Sequence, residues 1–175
     1  MGSPSVRELI DSHYESLYRY AVRLSGSSAD AEDLTQETFG KALTRIAQLR
    51  DADRAKPWLF RILRNEYLHR KRDDRRAKVV PLDSVGEPPE VPVDGGFEID
   101  PQELQAALTE LDETFRTPLI LFYFEDFSYR DIADQMELPI GTVMSRLARA
   151  KAYLRAKLFR TPDASTNGRR PTEGD

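Results

Sequence analysis

The side chains best suited to bind a polyanion lie near the end of the chain, between Gly141 and Arg160. This segment contains no acid, and its bases are Arg146, Arg149, Lys151, Arg155, Lys157 and Arg160. A helix face that is merely solvated usually mixes both signs of charge, so a single sign favours contact with nucleic-acid phosphates. The alternative is an ordinary helical hairpin whose basic face is only hydrated.

Two predicted helices would position these side chains. Ser128 can cap the first helix, with Asp131 three residues later as its partner. Glu137-Leu138-Pro139 then breaks a period whose apolar members are Ile132, Ala133 and Met136. The second helix has an apolar face formed by Val143, Leu147, Ala150 and Leu154. Its opposite face carries Thr142, Ser145, Arg146 and Arg149. This pattern predicts a helix-turn-helix whose second helix offers polar side chains to a DNA groove.

The composition argues against several classes of protein. The 175 residues include no cysteine, which excludes a disulfide framework, a cysteine-ligated metal site and a thiol switch on this chain. His13 and His69 have no partners at metal-ligand spacing, and no glycine-rich phosphate loop is present, so we expect no catalytic site, metal or cofactor. No apolar run reaches membrane-spanning length and no secretory signal follows Met1, so we expect a cytoplasmic protein.

The net charge of −4 would repel DNA if it were spread evenly, but it is not. Residues 61–78 contain eight bases and three acids, whereas residues 83–103 contain seven acids and no base. Local patches, rather than the sum, would meet DNA. The many charges and few aromatic residues also predict two small helical cores rather than one large core.

Three helices are predicted before residue 75. Ser5 and Glu8 form a capping box that opens the first, Gly26 ends it, and its apolar stripe is Leu9, Ile10, Leu17, Ala21 and Leu24. The second would run from Ser27 or Ser28 to about residue 49, with a polar stripe of Asp33, Gln36 and Glu37 that Gly40 continues. Such a stripe is ordinarily just a solvated face. After a polar loop at 51–56, Pro57 would take the first position of the third helix.

The rest of the chain divides into a linker, a second helical domain and a tail. Residues 75–100 are acidic and rich in Pro and Gly, which predicts a flexible linker. Asp100 and Pro101 restart a helix, and the next helix is expected to be interrupted early by Pro118. We therefore expect an all-α fold with domains at 5–74 and 101–160 and a disordered tail at 161–175.

Three motifs in this order resemble the extracytoplasmic-function sigma factors of the sigma-70 family. Residues 30–39, DAEDLTQETF, resemble the family's region 2.2, and residues 57–65, PWLFRILRN, resemble regions 2.3 and 2.4. Residues 111–158 resemble region 4, including Phe127-Ser128-Tyr129 and Gly141-Thr142-Val143. The resemblance covers residues 8–74 and 101–158. It differs at Met144, where many relatives have Arg or Lys, and at Glu137, where relatives often have Gly.

The resemblance implies roles for the polar residues of both domains. Asp33, Gln36 and Glu37 would bind the β′ clamp helices of core RNA polymerase, so the stripe would not be merely solvated. Loop 51–57 would receive a base flipped from the −10 element. The −10 strand would be held and read by Arg61, Arg64, Asn65, Arg70, Lys71 and Arg72. The −35 element would be contacted by Thr142, Ser145, Arg146 and Arg149, and the second domain would also meet the β flap.

We therefore expect a sigma factor that binds core polymerase, recognises −35 and −10 elements and promotes melting, with no catalytic chemistry of its own. An anti-sigma factor is an expected partner. A sigma-like decoy that sequesters an anti-sigma factor is the alternative, although such a decoy would not need Asn65, Arg149 and the basic helix. A free-standing DNA-binding regulator would leave the motifs of the first domain without a role.

Overall fold

The computed structural model describes residues 4–74 and 99–159, and these residues form helices with no strand. Two 3-10 turns, Ile46–Gln48 and Ala52–Arg54, precede α3. The helices are α1 (Val6–Ser25), α2 (Ser28–Arg45), α3 (Ala55–Asp73), α4 (Pro101–Glu110), α5 (Glu113–Tyr123), α6 (Tyr129–Met136) and α7 (Ile140–Leu158). The predicted flexible linker, apart from its last two residues, and the predicted tail lie outside the described residues, as does Arg160.

The helix ends follow the capping signals in the sequence. Reciprocal hydrogen bonds of a capping box join Ser5 to Glu8 at the start of α1 and Ser128 to Asp131 at the start of α6. Asp100 caps α4, with Pro101 in its first turn. Gly26 ends α1 in the left-handed conformation, with φ of 73°. These predictions are confirmed.

Two predictions about proline were wrong. Pro57 is the third residue of α3, not the first, because the 3-10 turn at 52–54 leads directly into a helix that begins at Ala55. The amides of the first helical turn have no intrahelical acceptor, so Pro57 costs no hydrogen bond there. Pro118 does not interrupt α5, which continues to Tyr123. The carbonyl of Thr114, four residues earlier, receives a long 3.5 Å hydrogen bond from Arg146 Nη1 of α7 instead of one from a backbone amide.

The helices form two domains, α1–α3 and α4–α7, and α6 and α7 make the predicted helix-turn-helix. The predicted inward faces are mostly buried, including Leu17, Leu24, Val143 and Leu147. Ile10 is an exception, since it is 37% exposed rather than part of the α1 stripe. Ile10 lies seven residues before Leu17 and therefore on nearly the same face of α1, so helical spacing alone does not determine which residues of that face are covered.

The expectation of two separate cores was wrong. The buried apolar residues of both domains belong to one connected cluster. The ring of Phe60 in α3 stacks on Tyr20 of α1 at 4.8 Å and lies 5.2 Å from Phe127, which precedes α6. At Gly26 a Cβ atom would come within 3.2 Å of Thr109 Oγ1 in α4. Each domain therefore shields part of the other's apolar surface from water.

Replacing Glu137 with glycine should stabilise the protein. Glu137 ends α6 in the left-handed conformation, with φ 54° and ψ 49°, and its amide donates to the Ala133 carbonyl. A residue with a Cβ atom pays about 1 kcal/mol for this conformation, which glycine does not. We expect Glu137→Gly to raise the free energy of unfolding by about that amount in urea denaturation. Glu32→Gly, inside α2, is a control of opposite sign, expected to cost about 1 kcal/mol. A loss of stability in Glu137→Gly would contradict the strained turn.

Candidate polymerase and nucleic-acid interfaces

The acidic stripe of α2 is one exposed surface. Asp33, Gln36 and Glu37 are all exposed, and Gly40 extends the stripe with nothing within 4 Å of where its Cβ would lie. A partner helix could approach closely at this low point. Glu37 Oε2 accepts a hydrogen bond from Arg70 Nη2 of α3 at 2.7 Å, so the stripe is linked to the basic end of the neighbouring helix.

The six residues predicted to contact the −10 element all lie on α3, but their surroundings differ. Near the middle of the helix, Arg61 and Arg64 hydrogen-bond to the second domain, with Arg64 half-buried and Arg61 still exposed, and Asn65 is exposed without such a contact to the second domain. Near its end, Arg70 pairs with Glu37, and the Lys71 ammonium lies 5.7 Å from the Tyr67 ring centroid. Arg72 is exposed. The structure therefore divides the predicted −10 surface into a part that contacts the second domain and a part that does not.

The loop predicted to receive a flipped base borders a cavity of about 280 Å³. On one side the lining includes Asp51, Arg54, Trp58 and Arg61, and on the other it consists of α6 residues Asp131, Asp134 and Gln135. Gln135 Nε2 donates a hydrogen bond to the Pro57 carbonyl across this boundary. In this arrangement the helix-turn-helix closes one side of the predicted base pocket.

A buried acid lies beside this boundary. Glu125, between α5 and α6, is 3% exposed, and its Oε1 has no hydrogen-bond partner although Arg23 Nη1 of α1 is 3.9 Å away. Burial raises the pKa of the Glu125 carboxyl, and the positive charges of Lys56, Arg19 and Arg23 oppose that rise. Its backbone carbonyl accepts a hydrogen bond from Lys56 Nζ at 2.7 Å. The loop before α6 is thus held by cations of the first domain.

Arg116 of α5 was not among the residues predicted to be functional, and it is only 7% exposed. Its guanidinium donates to the carbonyls of Thr109 and Leu111 within its own domain, at 3.2 and 2.7 Å. Across the domain boundary it donates to the Leu24 carbonyl, and to Tyr67 Oη at 3.2 Å. The only cue in the sequence is spacing, because Leu119 and Ile120, three and four residues on, place Arg116 on the buried face of α5.

The predicted −35 residues lie on the first turns of α7. Ser145 and Arg149 are exposed, and the Arg149 guanidinium lies 5.6 Å from the Phe115 ring centroid. Thr142 is half-buried, and its amide donates to the Pro139 carbonyl at 3.0 Å, which leaves its hydroxyl as the group available to a phosphate. Arg146 is half-buried against α5 through its bond to Thr114. The structure therefore presents Ser145 and Arg149 most openly.

Neither metal binding nor membrane spanning is indicated by the described part of the chain. Residues 4–74 and 99–159 contain no group of three His, Cys, Asp or Glu side chains placed to hold a metal ion. In the same residues, every helix is too short or too polar to cross a bilayer.

Comparison with known proteins identifies the family. The protein-family model described as Sigma-70 region 2 matches residues 9–77, and the one described as Sigma-70, region 4 matches residues 101–154. The chain is 38% identical over 157 residues to the ECF RNA polymerase sigma factor SigE of Mycolicibacterium smegmatis, an alignment that covers 87% of this chain and 61% of SigE. It is 35% identical over 159 residues to the ECF RNA polymerase sigma factor EcfG of Rhodopseudomonas palustris, covering 89% of this chain and 86% of EcfG. The chain belongs to the extracytoplasmic-function (ECF) sigma factors of the sigma-70 family.

Solved structures show the same fold. The sigma factor RpoE of Bartonella quintana, determined in complex with the anti-sigma factor NepR, superimposes with a TM-score of 0.72 at 32% identity, covering 87% of this chain and 96% of RpoE. PhyR of Sphingomonas sp. Fr1, also determined with NepR, gives 0.66 at 18% identity over 98% of this chain and all of that chain, which is a likeness of fold alone. We therefore call α1–α3 region 2 and α4–α7 region 4.

Proposed function

We propose that this sigma factor brings core RNA polymerase to promoters, recognises −35 and −10 elements and helps to separate the strands. The observation that carries the proposal is the separation of charge between neighbouring helices of region 2. Acidic and amide side chains are exposed on α2, and basic ones extend along α3. The first surface suits a protein partner, whereas the second suits phosphates. Such an activity would take place in the cytoplasm.

In this proposal α3 binds the opened −10 strand. The exposed amide of Asn65 can both donate to and accept from a base edge. Arg61, Arg64, Arg70, Lys71 and Arg72 would contact phosphates, and each contact should weaken as salt is added. Extruding a base costs a few kcal/mol of stacking, which contacts in the pocket next to Trp58 would have to recover.

Region 4 would read the −35 element through the first turns of α7. Ser145 and Arg149 would face base edges, Thr142 would contact a phosphate, and Arg146 would contact a phosphate or a base. Met144, which is 50% exposed beside Ser145, stands where many relatives have Arg or Lys. An apolar side chain there favours contact with a thymine methyl group over contact with a phosphate.

We also infer an anti-sigma partner, because RpoE, which is 32% identical to this chain, was determined in complex with the anti-sigma factor NepR.

A sigma-like decoy is the second candidate, since PhyR has the same fold and the PhyR of Bartonella quintana is described as an anti-anti-sigma factor. At 14% and 18% identity these likenesses concern the fold alone. Run-off transcription with purified core polymerase on a promoter library separates the two functions. Specific starts that depend on the added chain would support the sigma factor. Binding to an anti-sigma factor without any initiation would support the decoy.

Arg149→Ala should lower transcription from promoters that depend on a −35 element. Losing one base contact costs about 1–3 kcal/mol, so we expect about a tenfold decrease in run-off product at limiting holoenzyme. Affinity for core polymerase should not change. The matched control is Lys157→Ala, which removes a cation from the last turn of α7 that pairs with Glu110 at 2.8 Å. Promoter use equal to that of the unmodified chain would remove Arg149 from the −35 surface.

A further inference from the structure

Four cations of region 2 each meet an oxygen atom of region 4. Arg64 Nε lies 3.0 Å from Glu113 Oε1, and Arg54 Nη1 lies 3.8 Å from Asp131 Oδ1. Two further contacts use backbone oxygens: Arg61 Nη2 donates to the Asp134 carbonyl at 2.6 Å, and Lys56 Nζ donates to the Glu125 carbonyl at 2.7 Å. These four cations of the 3-10 turn and α3 are called the docking cations below.

The oxygens that meet the docking cations come from three parts of region 4. Glu113 begins α5, Glu125 lies in the loop before α6, and Asp131 and Asp134 belong to α6. Carboxylate and carbonyl oxygens resemble phosphate oxygens as acceptors for guanidinium and ammonium groups. Two of the docking cations, Arg61 and Arg64, belong to the proposed −10 surface, and Arg54 lines the proposed base pocket. Oxygen atoms of region 4 therefore contact cations that the proposed function gives to the DNA strand, with Arg64 largely covered and Arg54 and Arg61 still exposed.

We propose that region 4 of the free chain is an internal competitor of −10 DNA, supplying oxygens that take the place of phosphates on the docking cations. The inference rests on the proposed function of α3. Region 4 and the opened strand would contact the same side chains, so the two could not bind together. In the free chain, affinity for the strand would be lowered by the fraction of molecules in the closed form.

The closed form, in which region 4 is packed against region 2, is held by apolar contacts and buried hydrogen bonds as well as by the docking cations. The four individually weak contacts of the docking cations can therefore form together. The contact between Phe60 and Phe127 and the buried Arg116 fix region 4 against α1 and α3. Partly exposed ion pairs are individually weak, but pairs held on a rigid surface lose little side-chain entropy. The cover is also selective. Arg70, Lys71 and Arg72, and the α7 residues Ser145 and Arg149, remain outside it. Closure would thus obstruct the part of the −10 surface formed by Arg61 and Arg64, while leaving the rest of that surface and the −35 surface exposed.

Glu113→Gln in the full-length chain tests the competition. The change removes the charge that faces Arg64 and keeps the size of a side chain that also accepts from Thr117 Oγ1 at 2.7 Å. Fluorescence anisotropy would measure binding of a labelled 20-nucleotide single strand of random sequence to the free chain. We expect about three- to tenfold tighter binding than the unmodified chain, because more molecules would be open. The plot of log affinity against log salt should also steepen, by about 0.7 for each added phosphate contact.

The matched control is Glu110→Gln, which removes an acid whose partners both lie in region 4. Glu110 Oε2 meets Lys157 Nζ at 2.8 Å and Tyr153 Oη at 2.6 Å. The hydrogen bonds from Lys157 and Tyr153 hold the Glu110 pKa below its usual range, so its charge is present at neutral pH. This variant has the same change in net charge, and we expect its strand affinity to match that of the unmodified chain. Equal gains in the two variants would show a general charge effect and overturn the proposal.

Closure itself can be measured independently of DNA. The chain has no cysteine, so Ala29→Cys in α2 and Ala156→Cys in α7, both exposed, can carry a fluorescent donor and acceptor. Lower energy transfer and tighter strand binding in Glu113→Gln would together support the proposal. Unchanged transfer with unchanged binding would overturn it, as would lower transfer without tighter binding. Run-off transcription by the unmodified holoenzyme tests the proposed function separately, so that a failure of the proposed function can be distinguished from a failure of the proposed competition.

Discussion

Replacing Asp33 and Glu37 together with lysine should weaken binding to core RNA polymerase by about 100-fold. Both side chains are exposed on α2 beside the low point at Gly40. Opposing an interface cation with another cation turns attraction into repulsion, and such a change typically costs several kcal/mol. A loss of about 3 kcal/mol corresponds to the expected factor. Fluorescence titration of labelled chain with purified core polymerase would measure it.

The matched control for this experiment is Asp11→Lys with Glu15→Lys. Asp11 and Glu15 have the same four-residue spacing on α1, are also exposed, and give the same change in net charge. Glu15 is paired with Arg19 at 2.8 Å, much as Glu37 is paired with Arg70, so each double variant breaks one surface ion pair. We expect this control to bind core polymerase normally. Normal binding by the Asp33 and Glu37 variant would instead remove the acidic stripe from the polymerase interface.

Replacing Arg116 with methionine should lower the free energy of unfolding by about 3 kcal/mol. Methionine keeps much of the volume but donates no hydrogen bond, so the buried carbonyls of Leu24 and Leu111 lose a charged donor. Leaving buried acceptors unpaired costs about 1–3 kcal/mol each, partly offset because the charge of the arginine no longer has to be buried. Urea denaturation followed by circular dichroism would give the value.

Two further variants show whether this effect comes from the guanidinium geometry. Arg116→Lys keeps the charge but cannot reach acceptors in both domains at once, so its stability should lie between those of the methionine variant and the unmodified chain. Arg130→Met removes an exposed arginine from α6 and should change stability by less than about 0.5 kcal/mol. If Arg116→Met matched Arg130→Met, the hydrogen bonds that join the two domains through Arg116 would contribute nothing to stability.

Local features of the fold were predictable because neighbouring residues determine them. Ser5 with Glu8 and Ser128 with Asp131 form capping boxes, since the partners are three residues apart in the chain. The helix-turn-helix followed from apolar spacing, the capping signal at Ser128 and the break at Glu137-Leu138-Pro139. The positions of the prolines were harder to predict. Pro57 lies in the first turn of α3, where no amide hydrogen bond is lost. Pro118 lies inside α5, where Arg146 donates to the carbonyl of Thr114 that the proline leaves without a backbone donor.

The contact between the two domains was not predictable from the sequence. An arginine such as Arg64 has the same helical position and the same charge whether a phosphate or Glu113 faces it. Arg116 looked like an ordinary charged residue, because its acceptors come from segments up to 92 residues away. Burial of this kind depends on tertiary packing, which spacing within one helix does not encode. The site residues could be chosen from the sequence, but their availability could not.

The ion pair between Glu37 and Arg70 ties together two faces of region 2 that would serve different molecules. A ligand that takes the Glu37 carboxylate releases the Arg70 guanidinium on the adjacent helix. An exchange of this kind costs little, because a partly exposed pair contributes at most about 1 kcal/mol. Binding of a partner to the acidic stripe would thereby leave the Arg70 guanidinium unpaired on the basic side of region 2, through an exchange of side-chain contacts and no movement of the backbone.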